Sequence, residues 1–303
     1  MTAKSASMPL ALHAELNQLW SSMDALIAAG EFDYEEAGPP RLTCDVPASI
    51  PGHVARFDEG VVLHAVRRRA EVPPTDQHKV RSVIELERWS APVSTARRPD
   101  REATRAWVCS TRTAIDQILT SAHADDADLN QPIWWPLPLS GGWQTSRVAF
   151  EACCSHTWNH VVELWMRNYG PGEPIPDSLG PATNRALNHY ASQISRLLDP
   201  ERLARFSAMT VVMEFTGPGG GAWTFHVRDG GCLVREGWAD DADVVITQSP
   251  GTFARTFLFG TQSQLHAVVA GDIRVSGSVR AALAFRRLFH LPWAKSQSHS
   301  TAG

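Results

Sequence analysis

The hydrophobic pattern of this 303-residue chain changes period near residue 200, and that change constrains the fold more than any single motif. Up to about residue 198, apolar residues recur at intervals of three and four, which places them on one face of a helix. Between Thr210 and Thr247 they come in short β-branched or alternating runs, the spacing of strands. A chain this long exceeds one ordinary compact domain. The change of period therefore reads as the passage from a helical domain to a mixed one.

The helical part resolves into four long segments. Residues 10–29 carry Leu16, Leu19, Trp20, Met23, Leu26 and Ile27 at helical spacing and stop at Gly30. A proline-rich connection leads to a second helix over 52–69, and residues 71–99 read as a long loop or a lid over a site. A third helix is expected over 100–122 and a fourth over 144–169, ended by Gly170-Pro171-Gly172. Between them lies a loop, acidic and then aromatic, containing Ile133-Trp134-Trp135-Pro136-Leu137-Pro138. Four long helices joined by long crossovers predict a four-helix bundle. After a connecting helix over 182–198, strands are expected at 210–215, 222–227, 231–235 and 242–247. Helices follow at 250–259 and 262–270, then a strand at 272–276 and a closing helix at 279–289. This order makes the second half an α+β domain. The expected division is a bundle over 1–178, an α+β domain over 179–294 and a polar, disordered tail over 295–303.

Composition excludes several classes of partner. A net charge of −4 and a pI near 6.3 argue against a general nucleic-acid or membrane-surface binder. Arg67-Arg68-Arg69, the only tight basic run, reads as a solvated helix end. No stretch approaches the roughly 20 apolar residues of a membrane span, and the first residues lack a leader pattern. Five scattered cysteines fit reduced thiols and a cytoplasmic location better than a disulfide framework. Adjacent Cys153 and Cys154 read as small buried hydrophobes.

The chemistry concentrates in Glu151-Ala-Cys-Cys-Ser-His156-Thr-Trp-Asn-His160, inside the fourth helix. Two histidines four apart project from one face a turn apart and can reach one metal ion if a third ligand comes from elsewhere. The alternative is ordinary packing, since the pair flanks Trp158. His53 and His64 on the second helix are the leading third ligands, His13, His123 and His189 are weaker, and His78 lies in the long loop. Trp134, Trp135, Trp143 and Trp158 suit the wall of a water-excluding pocket, with bundle core as the rival reading.

His53 within Gly52-His-Val-Ala-Arg56, followed by His156-Thr-Trp-Asn-His160 in the fourth helix, resembles the DinB-type metal-binding bundle over about residues 10–170. More narrowly it resembles the branch of mycothiol-dependent maleylpyruvate isomerases, although His156 stands where that branch has glutamate. The resemblance implies a divalent metal, zinc first, on His53, His156 and His160. Mycothiol is then the implied thiol co-substrate. On the residues themselves, Trp134, Trp135, Trp143 and Arg56 are the candidates to line its site, and Glu151, Glu163 or a backbone carbonyl to orient the ligands. Ala242-Asp-Val-Val-Ile-Thr247, Phe253, Gly260, Gly271-Asp-Ile-Arg-Val-Ser-Gly277 and Ala284-Phe-Arg-Arg-Leu-Phe289 resemble a sterol carrier protein 2 domain over about 185–292. The expected fold is thus a DinB-like bundle followed by an SCP2-like α+β domain. The expected activity is that of a monomeric or homodimeric transferase moving sulfur between a small thiol and an electrophilic small molecule, in biosynthesis or detoxification. Cis–trans isomerisation and non-enzymatic transport of an apolar ligand are the alternatives.

Overall fold

The computed structural model describes residues 8–30, 50–67, 101–121, 126–135, 142–194, 197–204 and 208–288. The expected 71–99 loop, with His78, lies outside them, as do His123, Cys44 and the tail. The chain divides into two compact units, Met1–Asn168 and Tyr169–Gly303. Mixed helix and sheet with a helical N-terminal region is the fold class.

In the first unit α1 spans Met8–Ala29. Its Leu12, Leu16, Leu19, Met23 and Leu26 follow a four-three rhythm and are all buried. Each such side chain contributes about 1.5–3 kcal/mol by leaving water. The second helix begins as α2, Ile50–Phe57, with Pro51 in its first turn, where a missing N–H costs nothing. It does not continue as a regular α-helix. Asp58–Leu63 is π-helical, and α-geometry resumes in α3, His64–Arg67. Arg101–Thr120 forms α4, which packs against α1 and α2 and buries Trp107, Val108, Ile115 and Leu119. A short α5, Asp126–Leu129, precedes a two-stranded antiparallel sheet of β1, Pro132–Trp135, and β2, Gly142–Thr145. The expected aromatic loop is therefore a hairpin at this point. β1 packs against α3.

The fourth long helix, α6, runs over Ser146–Tyr169 and starts two residues later than its periodicity suggests, because Gln144 and Thr145 pair with β1. It is buried on more than one side: Phe150, Cys153, Cys154, Trp158, Val161 and Leu164 are nearly inaccessible.

In the second unit α7, Gly180–Ile194, and a short α8, Pro200–Leu203, precede the sheet. Its strands are β3 (Met209–Phe215), β4 (Gly221–Arg228), β5 (Gly231–Glu236), β6 (Val244–Gln248) and β7 (Ile273–Gly277). The strand order is β5-β4-β3-β6-β7, antiparallel throughout except for the parallel β3–β6 pair. Asp229 and Gly230, both at positive φ, close the β4–β5 hairpin as a two-residue turn whose twist matches the strands. Between β6 and β7 lie α9 (Pro250–Phe253), a second π segment (Ala254–Leu258) and α10 (Gln264–Val269). The expected single helix over 250–259 thus changes register midway. α11, Val279–Leu288, lays Phe285 on Phe225 of β4, with ring centroids 5.4 Å apart. Phe215, Trp223, Phe253 and Phe257 pack ring against ring in the same core. Among the described residues no helix is long and apolar enough to cross a membrane.

Candidate metal centre

His53 projects from α2 and His156 and His160 from successive turns of α6. One ligand-capable atom from each residue lies within 4.8 Å of the other two. Ring centroids are 5.1 Å apart for His53 and His156, 4.9 Å for His53 and His160, and 4.8 Å for His156 and His160. The Nε2 atoms of His53 and His156 are 3.2 Å apart. Two imidazole nitrogens sharing one tetrahedral ion at about 2 Å would sit about 3.3 Å apart. The donor set and its spacing fit a divalent cation.

The electrostatics favour the same occupant. Burial pushes both His53 and His156 well below the usual imidazole range. The nearby His160 adds to this for each, as do Arg56 for His53 and the opposing His53 for His156. Both rings are therefore neutral at physiological pH and present lone pairs. Phe57, one turn on from His53, lies against His156 with centroids 4.3 Å apart. His160 is buried, and its Nδ1 lies 3.0 Å from Glu163 Oε2, while Glu163 Oε1 accepts from Arg167. Burial alone would raise the Glu163 carboxyl. The hydrogen bond and charge of His160, with the Arg167 guanidinium, outweigh it and hold the group below the usual carboxylate range.

Beneath this layer is a buried polar pair that sequence reasoning did not single out. Cys153, three residues before His156, donates its thiol to Asp58 Oδ1 at 3.2 Å. Burial raises the Asp58 carboxyl from 3.8 to about 7, with the Cys153 hydrogen bond and Arg112 opposing the rise. Burial, with the charge of Asp58, pushes the Cys153 thiol well above its ordinary value, so it is inert as a nucleophile. Nothing in local sequence marks Asp58 as buried.

The remaining expected site residues separate. Trp134 and Trp143 face each other across β1 and β2 as an edge-to-face pair 5.9 Å apart, and Trp143 is exposed. Trp135, which an aromatic loop would present to solvent, is 1% exposed, because strand alternation turns it inward. It is core, as is Trp158. Arg56 adjoins the centre through its charge on His53. His64, partly buried on α3, is not among the three converging imidazoles. His13 pairs with Asp116 of α4, and His189 belongs to the second unit, where it lies beside Tyr190.

Comparison with known proteins bears on the two units unequally. Residues 187–290 match the SCP-2 sterol transfer family. No curated protein matches the chain. Among solved structures, the chain is similar to a mycothiol-dependent maleylpyruvate isomerase at 15% identity and a TM-score of 0.46, covering 88% of this chain and 94% of that one. It is also similar to a UbiJ-SCP2 ubiquinone synthesis protein at 18% identity and a TM-score of 0.28, covering 33% of this chain and 90% of that one. A stereoselective inverting sec-alkylsulfatase from Pseudomonas sp. aligns at 14% identity and a TM-score of 0.32, over 80% of this chain. The chain spans 32% of that sulfatase's length. The C-terminal part of this protein is an SCP2 domain, carried behind a helical unit in which three histidines converge.

Proposed function

We propose that this protein is a metal-dependent enzyme in which His53, His156 and His160 hold a divalent cation, zinc first. A low-molecular-weight thiol, mycothiol by the sequence resemblance, is activated there for transfer to a small electrophile. The observation that carries the reading is the convergence of three imidazole donors from two helices within 4.8 Å. An all-nitrogen set of three protein ligands suits zinc with a position left for substrate. When bound, the ion supplies the Lewis acidity that keeps a thiol, otherwise only a few per cent ionised at neutral pH, in its thiolate form.

The chain's own residues supply the setting. Burial keeps His53 and His156 neutral, so neither must lose a proton before binding a cation. Phe57 packs an apolar ring against His156. Arg56 offers a positive charge beside His53 for an anionic group of the thiol. The Trp134–Trp143 pair offers aromatic surface to a sugar-bearing substrate. No carboxylate stands among the three converging groups, so the centre keeps its positive charge and favours anionic sulfur. This supports S-transfer or thiol exchange over cis–trans isomerisation by reversible thiolate addition, which would use the same residues.

The family match over residues 187–290 favours a second reading, a non-enzymatic carrier of apolar ligands. In that domain the rings of Phe215, Trp223, Phe253 and Phe257 pack on one another. Metal analysis of purified wild type, His156→Ala and His160→Ala separates the readings. The enzyme reading expects about one zinc per chain in wild type and loss in both variants. A wild type that holds no metal and cannot be reconstituted sinks it. Incubation with mycothiol and candidate electrophiles, followed by mass spectrometry, then distinguishes S-conjugates from isomers of unchanged mass.

A further inference from the structure

The three converging imidazoles differ in what holds their outer nitrogens. His160 Nδ1 lies 3.0 Å from Glu163 Oε2, and Glu163 Oε1 accepts from Arg167 Nη2 at 2.5 Å. His156 Nδ1 is buried and has no hydrogen-bond partner among the described residues. The three residues of the relay follow one another on α6 at spacings of three and four, so its geometry is set by one helix. The Glu163 side chain is 11% exposed, and each of its two oxygens faces one nitrogen of the relay.

Resting on the metal reading above, we propose that Glu163 and Arg167 are positioning residues that lock His160 in its Nδ1–H tautomer and aim the Nε2 lone pair at the centre, making His160 the anchoring ligand and His156 the weakly held one. With Glu163 Oε1 taken by Arg167, Oε2 is the oxygen that faces His160, and it accepts the proton on the ring's Nδ1. In the neutral ring Nε2 is then the acceptor. Arg167 occupies the other carboxylate oxygen, which stops the group from rotating away and balances its charge. The same carboxylate polarises the ring and raises the basicity of the outward nitrogen. His156 has no equivalent partner on Nδ1, and its Nε2 shares one hydrogen bond with His53 Nε2 at 3.2 Å in which either ring can be the donor, so nothing fixes its proton on one nitrogen.

The lock is visible before any metal is added. Nitrogen-15 NMR of the metal-free protein should show His160 as a single Nδ1–H tautomer and His156 as a mixture. Glu163→Ala should turn His160 into a mixture and weaken zinc binding, measured by competition with a chromophoric chelator, by 10–100-fold. Glu163→Gln keeps an acceptor of the same shape and should rescue most of the tautomer preference but only part of the affinity. A wild-type His160 carrying its proton on Nε2 overturns the inference without any variant. So does Glu163→Ala with unchanged tautomer and affinity. If wild type shows the lock yet binds no zinc, the metal reading fails and the tautomer assignment stands. If zinc binds equally in wild type and Glu163→Ala while the lock is lost, the anchoring role is overturned and the metal reading survives.

Discussion

A carboxyl group placed among apolar side chains must be paid for in pH dependence, and Asp58 is where this protein carries that charge. Its pKa is raised from 3.8 to about 7, so the folded state binds the proton more tightly than the unfolded chain. The stabilisation is fully present below about pH 4 and is lost as pH rises through about 7. Linkage puts its size at no more than about 4 kcal/mol. Asp58→Asn keeps the shape and an acceptor for the Cys153 thiol but cannot ionise. The variant should therefore be more stable than wild type at pH 8 and nearly equal to it only at about pH 3.5, below the unfolded pKa, as read from urea denaturation. Identical pH profiles for the two proteins would show that Asp58 is ionised in the fold. The ligand residues carry a different expectation. Because burial depresses His53 and His156, protons should compete with zinc only weakly above pH 6. Chelator competition between pH 6 and 8 should then give a shallow slope.

At the scale of elements, the π segment Asp58–Leu63 is the unusual feature of the first unit, and its first two residues are tied to neighbouring helices. Asp58 accepts from Cys153 of α6, and Glu59 accepts from the Trp107 indole of α4 at 2.5 Å. A wide turn of this kind shifts the register of the side chains that follow and occurs often beside functional sites. Trp107→Phe keeps the ring and removes the donor, which should cost about 1–3 kcal/mol in denaturant unfolding. A loss under 0.5 kcal/mol would show that the indole contributes only packing. In the second unit Gly219, at positive φ, comes so near the Gly180 carbonyl that an added Cβ would lie 2.0 Å from its oxygen. Gly219→Ala should lower the thermal midpoint of that unit by several degrees or prevent its folding, while a neutral effect would mean that the turn yields.

For the whole molecule, zinc should act on the unit that holds the three histidines. At a hundred times its Kd, a ligand bound only by the folded state adds about 2.7 kcal/mol. Calorimetry with and without zinc should raise the transition of the first unit and leave that of the SCP2 domain in place. A shift of both together would show that the units unfold as one. The sequence by itself determined the kinds of element, because helix and strand periods are local properties of the backbone. The rhythm of Leu12, Leu16 and Leu19, the Asp229-Gly230 turn and the shared face of His156 and His160 are all readable this way. The SCP2 match over residues 187–290 lies where the second period begins. What only the tertiary structure decided is how the elements meet. His53 stands 103 residues before His156, and its approach to 3.2 Å follows from how α2 docks on α6. The same docking buries Asp58 against Cys153, and strand alternation turns Trp135 into the core, so neither position announces itself in the local pattern. Spacing along one helix is set by the peptide backbone, whereas a site shared by two helices is set by the packing of everything between them.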